Sequence, residues 1–217
     1  GFIPVGKKPY PDELLYSWIH RLASANGLLV KDFLIEYFGI KNATANSLQP
    51  DVRQGFIELY NSLLKKPDMV ELFFSVSIFQ FEAMFMTEGQ QTKYINNVFA
   101  SKSNVNTISN GIFQQLHICS ECVKDDIATY GEPYLHRMHH LSGVKVCSKH
   151  HCTLMRFNGT KGHACDYDWD TYSKYESISI VDAAYADYAS GIFDAGVTTN
   201  ICLLYTSPSP RDRSLSR

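Results

Sequence analysis

The sequence predicts a mainly α protein with a small α+β subdomain in its second half and a helix-turn-helix region at its N-terminus. Three observations carry this reading. Apolar residues recur at helical spacing along the first half of the chain. All six cysteines (Cys119, Cys122, Cys147, Cys152, Cys165, Cys202) lie in the second half. The 217 residues are 45% apolar and 13% aromatic, enough to bury a core and too apolar for a disordered chain.

The first helix is expected to open at Pro11, where a first-turn proline is tolerated, with Asp12 and Glu13 complementing the helix dipole. Leu14, Leu15, Trp18, Ile19 and Leu22 then recur on one face. Ala25-Asn26-Gly27 stops it, because Gly27 accepts a left-handed C-terminal conformation. A second helix follows, with Phe33, Leu34, Tyr37 and Phe38 on its apolar side and Gly39 at its end. Two helices around a tight glycine turn make a helix-turn-helix arrangement.

A third helix is expected over Val52 to Leu64, ended by Pro67. The apolar window Met69 to Met86 contains two capping signatures, Asp68 with Glu71 and Ser77 with Gln80, and so reads as two short helices. Glu71, Gln80 and Glu82 make it a poor membrane span. The first residues hold no apolar signal core, which points to the cytoplasm and away from a membrane. Residues 101–111 are a polar linker. The domain reading is a helical region over 1–112, a metal-binding finger over 113–165 and the start of a further, truncated segment over 166–201. Residues 202–217 (CLLYTSPSPRDRSLSR) resemble the conceptual translation of a sequencing adaptor and are read as a non-native tail on a fragment of a longer protein.

The chemistry concentrates in ICSECVKDD and VKVCSKHH. Cys119 and Cys122 form a C-x-x-C knuckle, in which two thiolates reach one ion while backbone amides donate to the sulfurs. Cys147 and His150 form C-x-x-H, with 24 residues between the two pairs. Two close pairs of soft or borderline donors match tetrahedral structural Zn2+. His151 and Cys152 lie beside His150 and are the alternative fourth donors. Such a site is closed, and it contributes roughly 10–16 kcal/mol of apparent binding free energy to folding. The second half is therefore read as a zinc-finger α+β subdomain. His163 and Cys165 could be remnants of a second zinc site, without a visible partner pair.

Catalytic readings find little support. His136, His139 and His140 stand between the ligand pairs, but only six residues separate His140 from Cys147. That is too short for the strand and helix of a histidine-metal nuclease, so ordinary packing or surface roles are assigned. Asp125 and Asp126 read as a solvated N-terminal turn, since adjacent helical residues point in different directions. There is no G-x-S-x-G elbow and no phosphate-binding glycine loop. The chain is read as a non-enzyme.

Charge sharpens the choice of partner. The chain carries 20 basic and 22 acidic residues, a net charge of −2, which excludes nucleic-acid binding by bulk charge alone. Without the three arginines and one aspartate of the tail, 17 basic face 21 acidic residues, a net −4. A local basic face remains open. Lys7, Lys8, Arg21, Lys31 and Lys41 flank the first two helices and are the candidate DNA phosphate contacts.

Taken in order, PYPDELLYSWIHRLASANG, ICSECVKDD and TYGEPYLHRMHHLSGVKVCSKHHCTLM resemble the TniQ/TnsD target-selector family of bacterial transposons, over both ends of residues 9–157. The resemblance implies a helix-turn-helix region joined to a zinc finger, with zinc held by Cys119, Cys122, Cys147 and His150. It implies core or interface roles for Leu15, Trp18 and Leu22. The function it implies is non-catalytic target-site selection: an adaptor, associated with the bacterial nucleoid, bridging target DNA to a TnsC-like AAA+ regulator and through it to the transposase. In some relatives a CRISPR effector complex reads the target. Many members carry a further C-x-x-C where this chain has only Cys165, and TnsD-like relatives continue well beyond 200 residues. The alternative reading is a stand-alone zinc-containing helix-turn-helix DNA-binding regulator.

Overall fold

The structure, a computed structural model, describes residues 5–38, 69–99, 116–157, 172–175 and 177–195. The helix expected over Val52 to Leu64, the 101–111 linker, Lys41, His163, Cys165 and the 202–217 tail lie outside these residues.

Helix α1 spans Leu15–Ala25 and α2 spans Val30–Phe38. They are joined by a tight turn in which Gly27 has φ 69°. α1 starts four residues later than Pro11 suggested. Asp12 takes a left-handed φ of 59°, and Glu13 pairs with His136 in an isolated antiparallel bridge. Leu14 N–H donates to the Leu135 carbonyl at 2.8 Å. Contact with a distant segment thus holds these residues out of the helix. Asn26 closes the other end: its amide donates to the carbonyls of Leu22 and Val5 at 2.7 and 2.9 Å.

The apolar window does form two helices, α3 (Met69–Val76) and α4 (Phe79–Ala83). The break falls where Ser77 was expected, but the N-cap of α4 is Ile78, and Ser77 Oγ only accepts a 3.4 Å bond from Phe79 N–H. Helix α5 (Glu88–Phe99) opens on a reciprocal box between Thr87 and Gln90. Leu15, Trp18, Ile19, Leu22, Phe33, Leu34, Leu72, Phe73, Phe79, Tyr94 and Ile95 fill one core between these helices.

The second half folds around a three-stranded antiparallel sheet, β1 (His117–Ile118), β2 (Met155–Phe157) and β3 (Tyr172–Lys174), in that order. Arg156 faces His117 on one side and Ser173 on the other. Helix α6 (Ser120–Tyr130) follows β1 directly and ends at Gly131, left-handed at φ 79°. A 3-10 turn covers Arg137–His140. Helix α7 (Ile180–Ala195) opens on Ser179 and Asp182, each accepting the other's backbone N–H. Its Ala186, Ala189 and Phe193 enter a second core with Ile118, Leu135, Val146, Leu154 and Phe157. Sheet and core therefore extend beyond residue 165.

The two cores share elements. Leu14 and Tyr16 beside and within α1, and Phe81 of α4, point into the second core while their neighbours fill the first. Arg137 reinforces the joint. Its guanidinium donates to the carbonyls of Phe74 and Ser77 at the end of α3, and to Asp12 at 3.1 Å. Among the described residues, no helix is long and apolar enough to cross a membrane.

Candidate metal centre

Cys119 precedes α6 as its N-cap residue, in extended conformation, and its sulfur accepts the Cys122 N–H at 3.4 Å. One turn of helix brings Cys122 back to the same side. The other pair comes from a tight turn between Val146 and Thr153, which are themselves bridged. Within it, Cys147 N–H donates to the Cys152 carbonyl and His151 N–H to the Cys147 carbonyl, at 2.9 and 2.8 Å. Hydrogen bonds of the backbone thus present the second knuckle.

One donor atom from each of Cys119, Cys122, Cys147 and His150 lies within 4.8 Å of all the others. His150 Nδ1 is 3.5, 3.3 and 3.8 Å from the sulfurs of Cys119, Cys122 and Cys147. The sulfurs of Cys122 and Cys147 are 3.7 Å apart. A tetrahedral ion with sulfur at about 2.3 Å and nitrogen at about 2.05 Å has edges of about 3.5–3.8 Å. The donor set fits a metal ion in both chemistry and size. All three cysteines are buried. Such a cluster can hold an ion and leaves no donor position for substrate.

His150 is fixed from behind. Its Nε2 lies 3.1 Å from Asp125 Oδ2, and the same oxygen accepts from Lys149 Nζ at 2.6 Å. A carboxylate behind a ligand histidine sets the tautomer that leaves Nδ1 free to bind. His139 packs against the cluster, with Nε2 3.7 Å from Cys122 Sγ. Burial, with the neighbouring histidine charges, holds His139 well below its ordinary pKa. His151, one alternative fourth donor, turns away to Asp187 at 3.1 Å. Cys152, the other, keeps its sulfur 3.2 Å from Cys119 Sγ.

Asp126 departs from the reading of a solvated turn, whereas Asp125 stays exposed. Asp125 serves His150, while Asp126 is buried and lies 3.0 Å from His136 Nε2. His136 is also 3.7 Å from Asp12. Burial opposes its charge, but the two carboxylates dominate and raise its pKa to about 9. The position of Asp125 in the sequence carries a signal of this role. Asp125 lies three residues after Cys122, and residues at that spacing share a helix face.

The basic candidates fare differently. Lys8 and Lys31 are exposed. Lys7 pairs with Glu132 at 2.8 Å. Arg21 is 7% exposed, and its guanidinium meets Glu13 at 2.7 Å and Glu132 at 3.0 Å while stacking 3.6 Å over the Tyr10 ring. Its donors are committed inside the fold, which removes Arg21 from the phosphate contacts expected of it.

A comparison with family models matches residues 4–154 to TniQ, a span that runs from the N-terminal segment through the whole metal cluster. No curated protein matches the chain.

Proposed function

The chain belongs to the TniQ family, whose members are associated with target selection in transposition, and from that premise we propose that it is a non-catalytic target-site adaptor. In this reading it links target DNA, or a target-bound complex, to a TnsC-like AAA+ regulator, which brings the transposase. The observation that carries the reading is the family match over residues 4–154, a span that includes the helix pair and the four-donor cluster.

The ion in this reading is Zn2+, because three thiolates and one imidazole in a closed tetrahedral set suit it best. It supplies folding free energy and no chemistry. Cys119, Cys122, Cys147 and His150 hold it, and Asp125 orients His150. Lys8 and Lys31 are the side chains proposed to meet phosphate, with Lys7 joining them where it can leave Glu132. A helix-turn-helix role for α1 and α2 is consistent with the pair and its turn.

The test is a pull-down of the full chain with the AAA+ regulator, with and without target DNA, beside elemental analysis of the purified protein. The adaptor predicts retention of the regulator and one zinc per chain. Failure to retain any AAA+ partner sinks it. Salt-dependent, sequence-specific DNA binding without regulator affinity would favour the stand-alone regulator.

A further inference from the structure

Cys152 is a fifth sulfur at a four-donor cluster. Its Sγ lies 3.2 Å from Cys119 Sγ, closer than Cys122 and Cys147, whose sulfurs are 3.7 Å apart. When four donors hold an ion, Cys152 is surplus, yet it rests against one of them. Different elements present the two sulfurs. Cys119 caps α6, whereas Cys152 is held in the second knuckle through its carbonyl. Cys119 is fully buried and Cys152 only partly so, which makes Cys152 the more accessible of the pair. A disulfide needs the sulfurs at about 2.05 Å, an approach of about 1 Å from here.

We propose that Cys119 and Cys152 form an oxidation site, at which a small peroxide joins them as a disulfide and thereby removes one ligand from the metal. The inference rests on the metal reading above. One sulfur attacks a peroxide oxygen; the O–O bond breaks, a sulfenic acid forms and one water leaves. The second sulfur then displaces the sulfenic hydroxyl, which departs as a second water as the S–S bond closes. Two thiols and one hydrogen peroxide give one disulfide and two waters, sulfur losing the two electrons that oxygen gains. Where Cys119 is ligated as thiolate, solvent supplies its proton. Cys122, Cys147 and His150 remain, one donor short of a closed site.

The experiment exposes the full chain, purified with its metal, to increasing hydrogen peroxide in the presence of a chromophoric zinc chelator. Metal release is read by absorbance, and the disulfide is mapped by mass spectrometry of thiol-blocked peptides. The expected result is a Cys119–Cys152 link appearing in step with metal release, both reversed by dithiothreitol. In Cys152→Ser and Cys152→Ala, metal is retained at the start and its release is slowed by about tenfold or more. Release at the wild-type rate in these variants overturns the proposal. So does mapping that joins Cys122 to Cys147, or Cys152 to Cys165 or Cys202. A protein that carries no metal as purified defeats the metal reading, and mapping of that same protein still decides the thiol pair.

Discussion

Arg21 and Glu13 form an ion pair with almost no access to water: Glu13 is 0% exposed and Arg21 7%. Ser17 Oγ and Tyr10 N–H donate to the same carboxylate, at 3.0 and 2.8 Å, so its lone pairs are well satisfied. Removing one member leaves a buried charge without its partner, which costs about 3–5 kcal/mol. Arg21→Ala should therefore lower the urea midpoint sharply, while Lys8→Ala at an exposed site should change stability by less than about 0.5 kcal/mol. Equal midpoints for the two variants would show that the pair is not a structural anchor. His136 makes the second residue-scale prediction. Its folded pKa is raised from 6.5 to about 9, so the folded state keeps a proton that the unfolded state loses over that interval. The stability it contributes is full below pH 6.5 and is lost as pH rises through 9. His140 has the opposite sign: burial lowers it to about 4, so its contribution is lost as pH falls from 6.5 toward 4. Urea midpoints measured from pH 7 to 9.5 should decline in the wild type, and His136→Gln should flatten that limb.

At the scale of elements, ends matter more than interiors. Helix α6 carries the first pair of candidate metal donors at its N-terminus and stops at Gly131, whose φ of 79° no ordinary L-residue adopts without strain. A Cβ at Gly131 would meet nothing within 4 Å, so the effect of Gly131→Ala is conformational alone. It should cost about 1 kcal/mol. Gly191 lies inside α7, also with open space around it, and Gly191→Ala should stabilise by about 0.5–1 kcal/mol. Thermal midpoints should move in opposite directions, and a shared direction would refute the assignment of strain to Gly131. The starts of α5 and α7 were written locally, as Thr87 with Gln90 and Ser179 with Asp182. The three strands were not. Each is two or three residues long, too short for an alternating pattern, and each exists because its backbone pairs with a distant one.

For the whole molecule, the metal cluster and the helix pair are mechanically joined. Leu14 N–H is bonded to the Leu135 carbonyl, Leu135 N–H to Ser17 Oγ, and Arg137 ties the end of α3 to Asp12. Leu14, Tyr16 and Phe81 share a core with Cys119, Cys122 and Cys147. Loss of the ion should therefore be felt in α1. Chelation is expected to accelerate amide exchange at residues 14–22 as well as at 119–150, as followed by mass spectrometry. Exchange confined to the second half would mean that the two cores open independently.

The sequence by itself determined the helix pair and its turn, the division of the apolar window into two helices and the four donors that converge. All of these are short-range facts. Helical periodicity repeats within a turn, and a C-x-x-C or C-x-x-H pair brings its donors together across three residues. Tertiary structure alone decided which charges are buried and which thiol lies against the cluster. Arg21 looks like any surface base until Glu132, 111 residues away, closes over it. Cys152 becomes a neighbour of Cys119 only when 33 residues fold back. Local spacing placed Cys152 near the cluster, but its contact with Cys119, like the burial of Arg21, depends on what distant segments bring.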